Sequence, residues 1–174
     1  MLKYIYRSGK CQTGGVETLR YRISLPEFSE YEAISEFYRN IFEAVLEYCE
    51  NDLQKIAEKE YTECDIPKKK FRYVPLRYTL EGMITYEDER LIFVKLIAKL
   101  IKNGAYDSGR VAYDAHAWSK KDQSLVPPRQ AAEGFIKSSD IQRVLRKKSG
   151  FLIENGKYFV YSRNGIKEIS PTKE

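Results

Sequence analysis

The chain holds one histidine, one tryptophan and three cysteines in 174 residues, and each shortage excludes a class of chemistry. A structural zinc site takes four Cys or His ligands at short, recognisable spacings. His116 with the scattered Cys11, Cys49 and Cys64 cannot provide them, so neither a metal nor a cofactor is expected. An odd number of cysteines forms no complete disulfide framework. Cys49 and Cys64 fall on or near one predicted helix, about 22 Å apart along its axis, which is far beyond disulfide reach. Long apolar runs are also missing. The most apolar segment, Leu91 to Ile101, is too short to span a bilayer and is broken by Lys95 and Lys99. The opening MLKYIYRSGK has no apolar core of the kind a secretion signal needs, which predicts a cytoplasmic chain with reduced thiols.

Catalytic motifs are scarce as well. Gly9-Lys10-Cys11-Gln12-Thr13-Gly14-Gly15 has the glycines of a phosphate loop, but Gly15 and Val16 stand where Lys and Ser/Thr must follow the second glycine. It reads as a flexible lead-in to the first strand. Cys11 beside Lys10 would have a somewhat lowered pKa, yet no second cysteine lies nearby in sequence to resolve it. Any histidine chemistry must use His116. On a strand, Asp114, His116 and Trp118 share one side, so a carboxylate could orient the imidazole, while no nucleophile is placed near them.

What is present is a well-filled globular composition: 43% hydrophobic, 13% aromatic, with 14 tyrosines against 8 phenylalanines. Tyrosine favours strands and half-buried faces. The length suits one domain with a real core, predicted over residues 1–170, with 171–174 a flexible tail. The net charge of +5 is unevenly spread. Glu27 to Glu63 carries eleven acids and three bases, a balance of −8, which leaves +13 for the remainder. A folded chain of this kind has an acidic and a basic side.

The expected fold is α+β: a long N-terminal helix packed on an antiparallel sheet of about four to six strands, with a short second helix and a C-terminal hairpin. Residues 16 to 25 alternate as a strand that Pro26 ends. Ser29 and Glu32 have capping-box spacing. The helix then runs to about Glu60, with Ile34, Phe37, Ile41, Val45 and Tyr48 inward and a stripe widened by Phe42, Leu46, Cys49, Leu53 and Ile56. Arg72 to Tyr86 and Leu91 to Ile101 read as strands, the first at an edge position or with a bulge because Pro75 cannot donate to a ladder. In residues 110–118, Val111, Tyr113, Ala115 and Ala117 face inward, leaving Asp114, His116 and Trp118 outward. A short strand at 123–126 ends at Pro127-Pro128. Ser139 and Gln142 cap a short helix that Gly150 stops, and FLIE, Asn155-Gly156 and KYFVYS make a closing hairpin.

These features point to a non-enzymatic binding or sensing domain for a protein or a polymer, through the polar strand face of Arg77, Asp114, His116 and Trp118. Two alternatives stay open. One is a hydrolase or transferase that uses Asp114 and His116. The other is nucleic-acid binding through two basic clusters, Lys68, Lys69, Lys70 and Arg72 with interleaved aromatics, and Arg143, Arg146, Lys147 and Lys148 at the end of a helix.

The order of elements resembles the extracytoplasmic domain shared by the anti-sigma factor RsiV and peptidoglycan deacetylases of the PdaC kind. Residues 113 to 126, Tyr-Asp-Ala-His-Ala-Trp-Ser-Lys-Lys-Asp-Gln-Ser-Leu-Val, are similar to that family's Phe-Asp-x-x-Thr-Gly-Lys-x-Leu turn, and Phe151 to Tyr161 to its closing hairpin. The family's Gly-Gly-Ala-His is here Asn103-Gly104-Ala105-Tyr106, without the histidine. The resemblance, over residues 17 to 162, implies an extracytoplasmic ligand-binding or sensing fold without an active site of its own.

Overall fold

Two β strands precede the helix. A computed structural model describes residues 1–64, 73–102, 109–148, 150–162 and 165–170, and among them nine strands form two sheets. The larger has six strands in chain order, β1 (Leu2–Thr13), β2 (Val16–Phe28), β3 (Leu76–Glu87), β4 (Leu91–Ile101), β5 (Arg110–Ser119) and β6 (Ser124–Leu125). The smaller stacks β7 (Gly150–Glu154), β8 (Lys157–Ser162) and β9 (Gly165–Ile169). The expected architecture is corrected here: the chain is mostly sheet, the long helix lies mid-chain, and the large sheet is mixed. Its neighbours pair antiparallel except β2 and β3, which run parallel. A parallel pair needs a long crossover, and the helix supplies it.

That helix is continuous from α1 (Glu32–Tyr48) through a π-helical turn (Cys49–Leu53) into α2 (Gln54–Glu63). Ile34, Tyr38, Cys49, Leu53 and Ala57 are buried against Leu19, Tyr21, Ile23, Leu25, Leu76, Leu80, Ile92, Val94, Leu96 and Trp118 of the sheet. We call this the helix-facing side. The expected stripe fails at its far end, because Ile56 is 41% exposed and Ala57 is buried. An α-helical stripe drifts round the axis over many turns, and the wider π turn brings it back toward the strands below. The capping box also fails. Ser29 Oγ donates to the Met1 carbonyl, and the Ala33 N–H of the first turn is accepted by Gln123 Oε1 at 3.0 Å, from a distant loop.

The other face of the large sheet is half covered. Leu91, Phe93, Ala115 and Ala117 point into a second core, closed by Phe151, Leu152, Ile153, Val160 and Tyr161 of the small sheet and by α3 (Pro128–Ala132) and α4 (Ser138–Val144). Lys95 bonds Glu154 at 2.9 Å between the two sheets, both side chains largely buried. Leu91 to Val94 are therefore buried on both faces, and β4 is the shared wall of the two cores.

Of the glycine-rich lead-in, residues 9–13 are strand and Gly14-Gly15 make the turn into β2. Cys11 pairs with Leu19 and Gly9 with Tyr21. A Cβ on Gly9 would lie 2.3 Å from the Tyr21 hydroxyl, so the phenol ring crosses over the glycine to reach Glu50 on the helix at 2.9 Å. Pro75 precedes β3, which sits mid-sheet between β2 and β4 rather than at an edge. Gly150, expected to stop the second helix, opens β7.

Candidate functional site

On β5 the expected register is overturned. Trp118 is only 3% exposed and belongs to the helix-facing core, whereas Val111 and Tyr113 are exposed. Near the end of β5 the helix packs on one face and the small sheet on the other, so Ala115 and Ala117 are buried as well as Trp118. An outward polar face around Trp118 therefore does not exist.

Instead the structure gathers a hydrogen-bonded chain. Trp118 Nε1–H donates to the Tyr38 hydroxyl oxygen at 2.8 Å. The Tyr38 oxygen lies 3.0 Å from His116 Nδ1, and His116 Nε2 lies 3.2 Å from Asp114 Oδ2. Asp114 Oδ1 accepts the Ala115 N–H at 2.8 Å. Because the Asp114 carboxylate can only accept, Nε2 of the neutral imidazole carries the hydrogen, and Nδ1 is left to accept the Tyr38 hydroxyl proton. Phe37 stands edge-on to both the imidazole and the indole. Burial pushes the Tyr38 phenol well above its ordinary range, so it stays protonated and serves as a donor. The bond from His116 holds the Asp114 carboxyl below the usual carboxylate range, against the opposing effect of burial.

A general base needs a free lone pair aimed at a substrate. Here Nδ1 is taken by buried Tyr38 and Nε2–H by Asp114, so the arrangement clasps the helix to β5. Two grooves among the described residues lie elsewhere. One, of about 460 Å³, is lined by Tyr78, Ala98, Leu100, Arg110, Val111 and Ala112. The other, of about 450 Å³, includes Arg90, Lys121, Asp122 and Gln130.

A pH effect follows from the clasp. A carboxylate with a depressed pKa adds stability above its unfolded value and loses it as pH falls through the folded one. Asp114 is 59% exposed, so the contribution is small, no more than about 1 kcal/mol. It is complete above roughly pH 4 and fades below. Thermal midpoints measured from neutral to acid pH should fall more for the native chain than for Asp114→Asn. Parallel curves would remove the Asp114 contribution.

Arg77 is separated from this cluster. Strand alternation puts it on the opposite face from Leu76 and Leu80. There the pairing aligns Lys10 of β1, Arg20 of β2 and Arg77 of β3 in one cross-strand row. A second row runs Ser8, Arg22, Thr79, Lys99 and Val111. The small sheet covers only the end of this face near Lys95 and Ala115, and Lys10, Arg20, Arg22, Arg77 and Lys99 are all exposed. Arg20 is held by Glu17 at 2.7 Å and Arg22 by Glu81 at 2.6 Å. Among the described residues Lys10, Arg77 and Lys99 make no ion pair. Tyr6 on β1 and Tyr113 on β5 stand on the same face, 58% and 40% exposed. The sequence expectations missed this surface because its residues come from five strands. The signal available was the +13 carried outside the acidic helix.

Lys68, Lys69, Lys70 and Arg72 lie outside the described residues, as do Asn103 to Tyr106. Arg143 is tied to Asp140 at 2.6 Å, and Arg146, Lys147 and Lys148 follow the end of α4. Among the described residues no group of three or more His, Cys, Asp or Glu is placed to hold a metal ion, and no helix is long and apolar enough to cross a membrane.

No family model matches the chain, and no curated protein matches it. Solved structures do, among them two DUF3298 family proteins. One is a DUF3298 family protein from Pseudomonas aeruginosa PAO1, with TM-score 0.52 and 10% identity, covering 98% of this chain and 89% of that one. The other is a member of the DUF3298 family from Bacteroides fragilis, with TM-score 0.57 and 10% identity, covering 98% and 90%. Across nearly its whole length, this chain is similar in fold to DUF3298 family proteins.

Proposed function

We propose that the chain is a non-enzymatic binding domain whose recognition surface is the open half of the large sheet, and that its partner is polyanionic. The observation that carries this reading is the cross-strand row Lys10, Arg20 and Arg77 with Lys99 beside it, presented on a face that the small sheet leaves uncovered. Two of the five cations there are neutralised by Glu17 and Glu81, which leaves three for a partner. The acidic helix lies across the opposite face, so the molecule has the charge asymmetry that steers an anionic polymer to one side. Arg77 is the one member of the Arg77, Asp114, His116 and Trp118 set retained in this surface. The closed Tyr38–His116–Asp114 chain argues against a hydrolase or transferase at that position. A sensing fold without an active site, as in the RsiV and PdaC domain that residues 17 to 162 resemble, is compatible with this reading.

Binding to a labelled heparin oligosaccharide, measured by fluorescence anisotropy across a salt series, tests it. Affinity should fall steeply with salt, and the triple variant Lys10→Glu, Arg77→Glu, Lys99→Glu should bind at least about tenfold more weakly with a slope shallower by about three. Equal binding by the variant would place the site elsewhere.

A further inference from the structure

We infer that the polyanion this face takes is a single-stranded polynucleotide, whose bases stack on Tyr6 and Tyr113 while its phosphates follow the cation row. The inference rests on the binding reading above and specifies its ligand. Three observations carry it. First, each exposed tyrosine sits diagonally beside a cation of the second row. Tyr6 pairs with Ser24, one alternate position from Arg22, and Tyr113 pairs with Ile97, one alternate position from Lys99. Diagonal neighbours in a sheet lie within reach of long and aromatic side chains, so each ring adjoins a positive charge. Second, the face extends over five strands, a span of about 19 Å between β1 and β5 at ordinary strand spacing. An open sheet face with aromatic platforms accepts splayed single-strand bases, whereas double-stranded DNA is read by elements that enter a groove. Third, the part of the face around Tyr113 and Lys99 is partly apolar. Half-buried Ile97 is paired with Tyr113, half-buried Ile101 and exposed Val111 flank Lys99, and Thr79 pairs with it from β3. Base faces favour such a floor, and a bare sulfated or phosphorylated chain does not use it.

Glu81 lies in the same row as Tyr6 and Tyr113, held by Arg22. It divides the face into a strongly basic side toward Lys10 and Lys99 and a less basic side toward Lys95. The phosphates therefore run along the Lys10, Arg77 and Lys99 side, with the bases turned toward the tyrosines.

The test uses the full chain and four fluorescent probes: a twelve-residue oligo(dT), an abasic phosphodiester chain of the same length, a duplex of the same length, and the heparin oligosaccharide. Oligo(dT) should bind about tenfold or more tightly than the abasic chain, since stacking adds affinity at each occupied platform, and more tightly than the duplex. Tyr6→Ala with Tyr113→Ala should erase most of the difference between oligo(dT) and the abasic chain and leave heparin binding unchanged. Tyr6→Phe with Tyr113→Phe, which keeps both rings, should retain the difference. Equal affinity for oligo(dT) and the abasic chain, a preference for the duplex, or a double alanine variant that still discriminates would each overturn the polynucleotide assignment while leaving the polyanion reading intact. Failure of every probe to bind would overturn both.

Discussion

Tyr38→Phe should lower the stability of the protein by about 2–4 kcal/mol, although it removes a single oxygen. The hydroxyl serves two partners at once, accepting from Trp118 Nε1–H and donating to His116 Nδ1. Without it a buried donor and a nearly buried acceptor are orphaned, at roughly 1–3 kcal/mol each. The lower part of that range suits His116, whose side chain keeps 11% exposure and can recruit water. The indole has no such recourse. Chemical denaturation followed by Trp118 fluorescence reads the loss directly, and a change under about 0.5 kcal/mol would mean that the clasp holds nothing.

Phe93→Ala should cost more, about 3–5 kcal/mol, and should act unevenly. The ring is fully buried and meets Tyr86, Phe135 and Phe151 edge-on, with centroids 5.9 to 6.1 Å away. The contacts with Phe135 and Phe151 fasten the small sheet and the short helices to β4, while Ile92 and Val94 fasten β4 to the long helix. A cavity on one side of this wall loosens the small sheet first, as a sub-global opening. Hydrogen exchange should therefore accelerate in residues 150–162 before residues 19–25. Uniform acceleration across both segments would show that the two cores unfold as one.

Much of the architecture is legible from local pattern. The branched run Leu91 to Ile101 is a strand, and the alternation within it names the residues that meet the helix. Asn155-Gly156 turns the β7–β8 hairpin with positive φ at both positions. What escaped has nameable causes. β1 is an edge strand exposed along most of both faces, so it has no apolar alternation, and Gly9 with the Gly14-Gly15 turn that follows makes its end read as a loop. α3 follows Pro127, where proline starts a helix instead of only ending a strand. β9 rests on Ile166 and Ile169, too short a signal to separate from a tail.

The register of β5 was misjudged for a different reason. Alternation assigns one wet face to a strand, and the rule fails where both faces are covered. Asp114 and His116 look like solvent-facing residues, yet their side is the helix-facing one, made tolerable by Tyr38 arriving from seventy-eight positions away in the chain. The helix start shows the same limit, since its donor is satisfied by Gln123. The polar surface proposed for binding is likewise a product of pairing: neighbouring strands bring Lys10, Arg20 and Arg77 together, and no short stretch of sequence contains them.

The single parallel junction also has a kinetic meaning. Each hairpin of this protein can zip from its own turn, since its partners are close along the chain. Leu19 meets Leu76 only by closing the long crossover that carries the helix. That closure carries the largest entropy loss among the strand pairings and gains nothing until the helix docks. The junction of β2 with β3 is therefore the step expected to limit folding, with the hairpins on either side able to form before it.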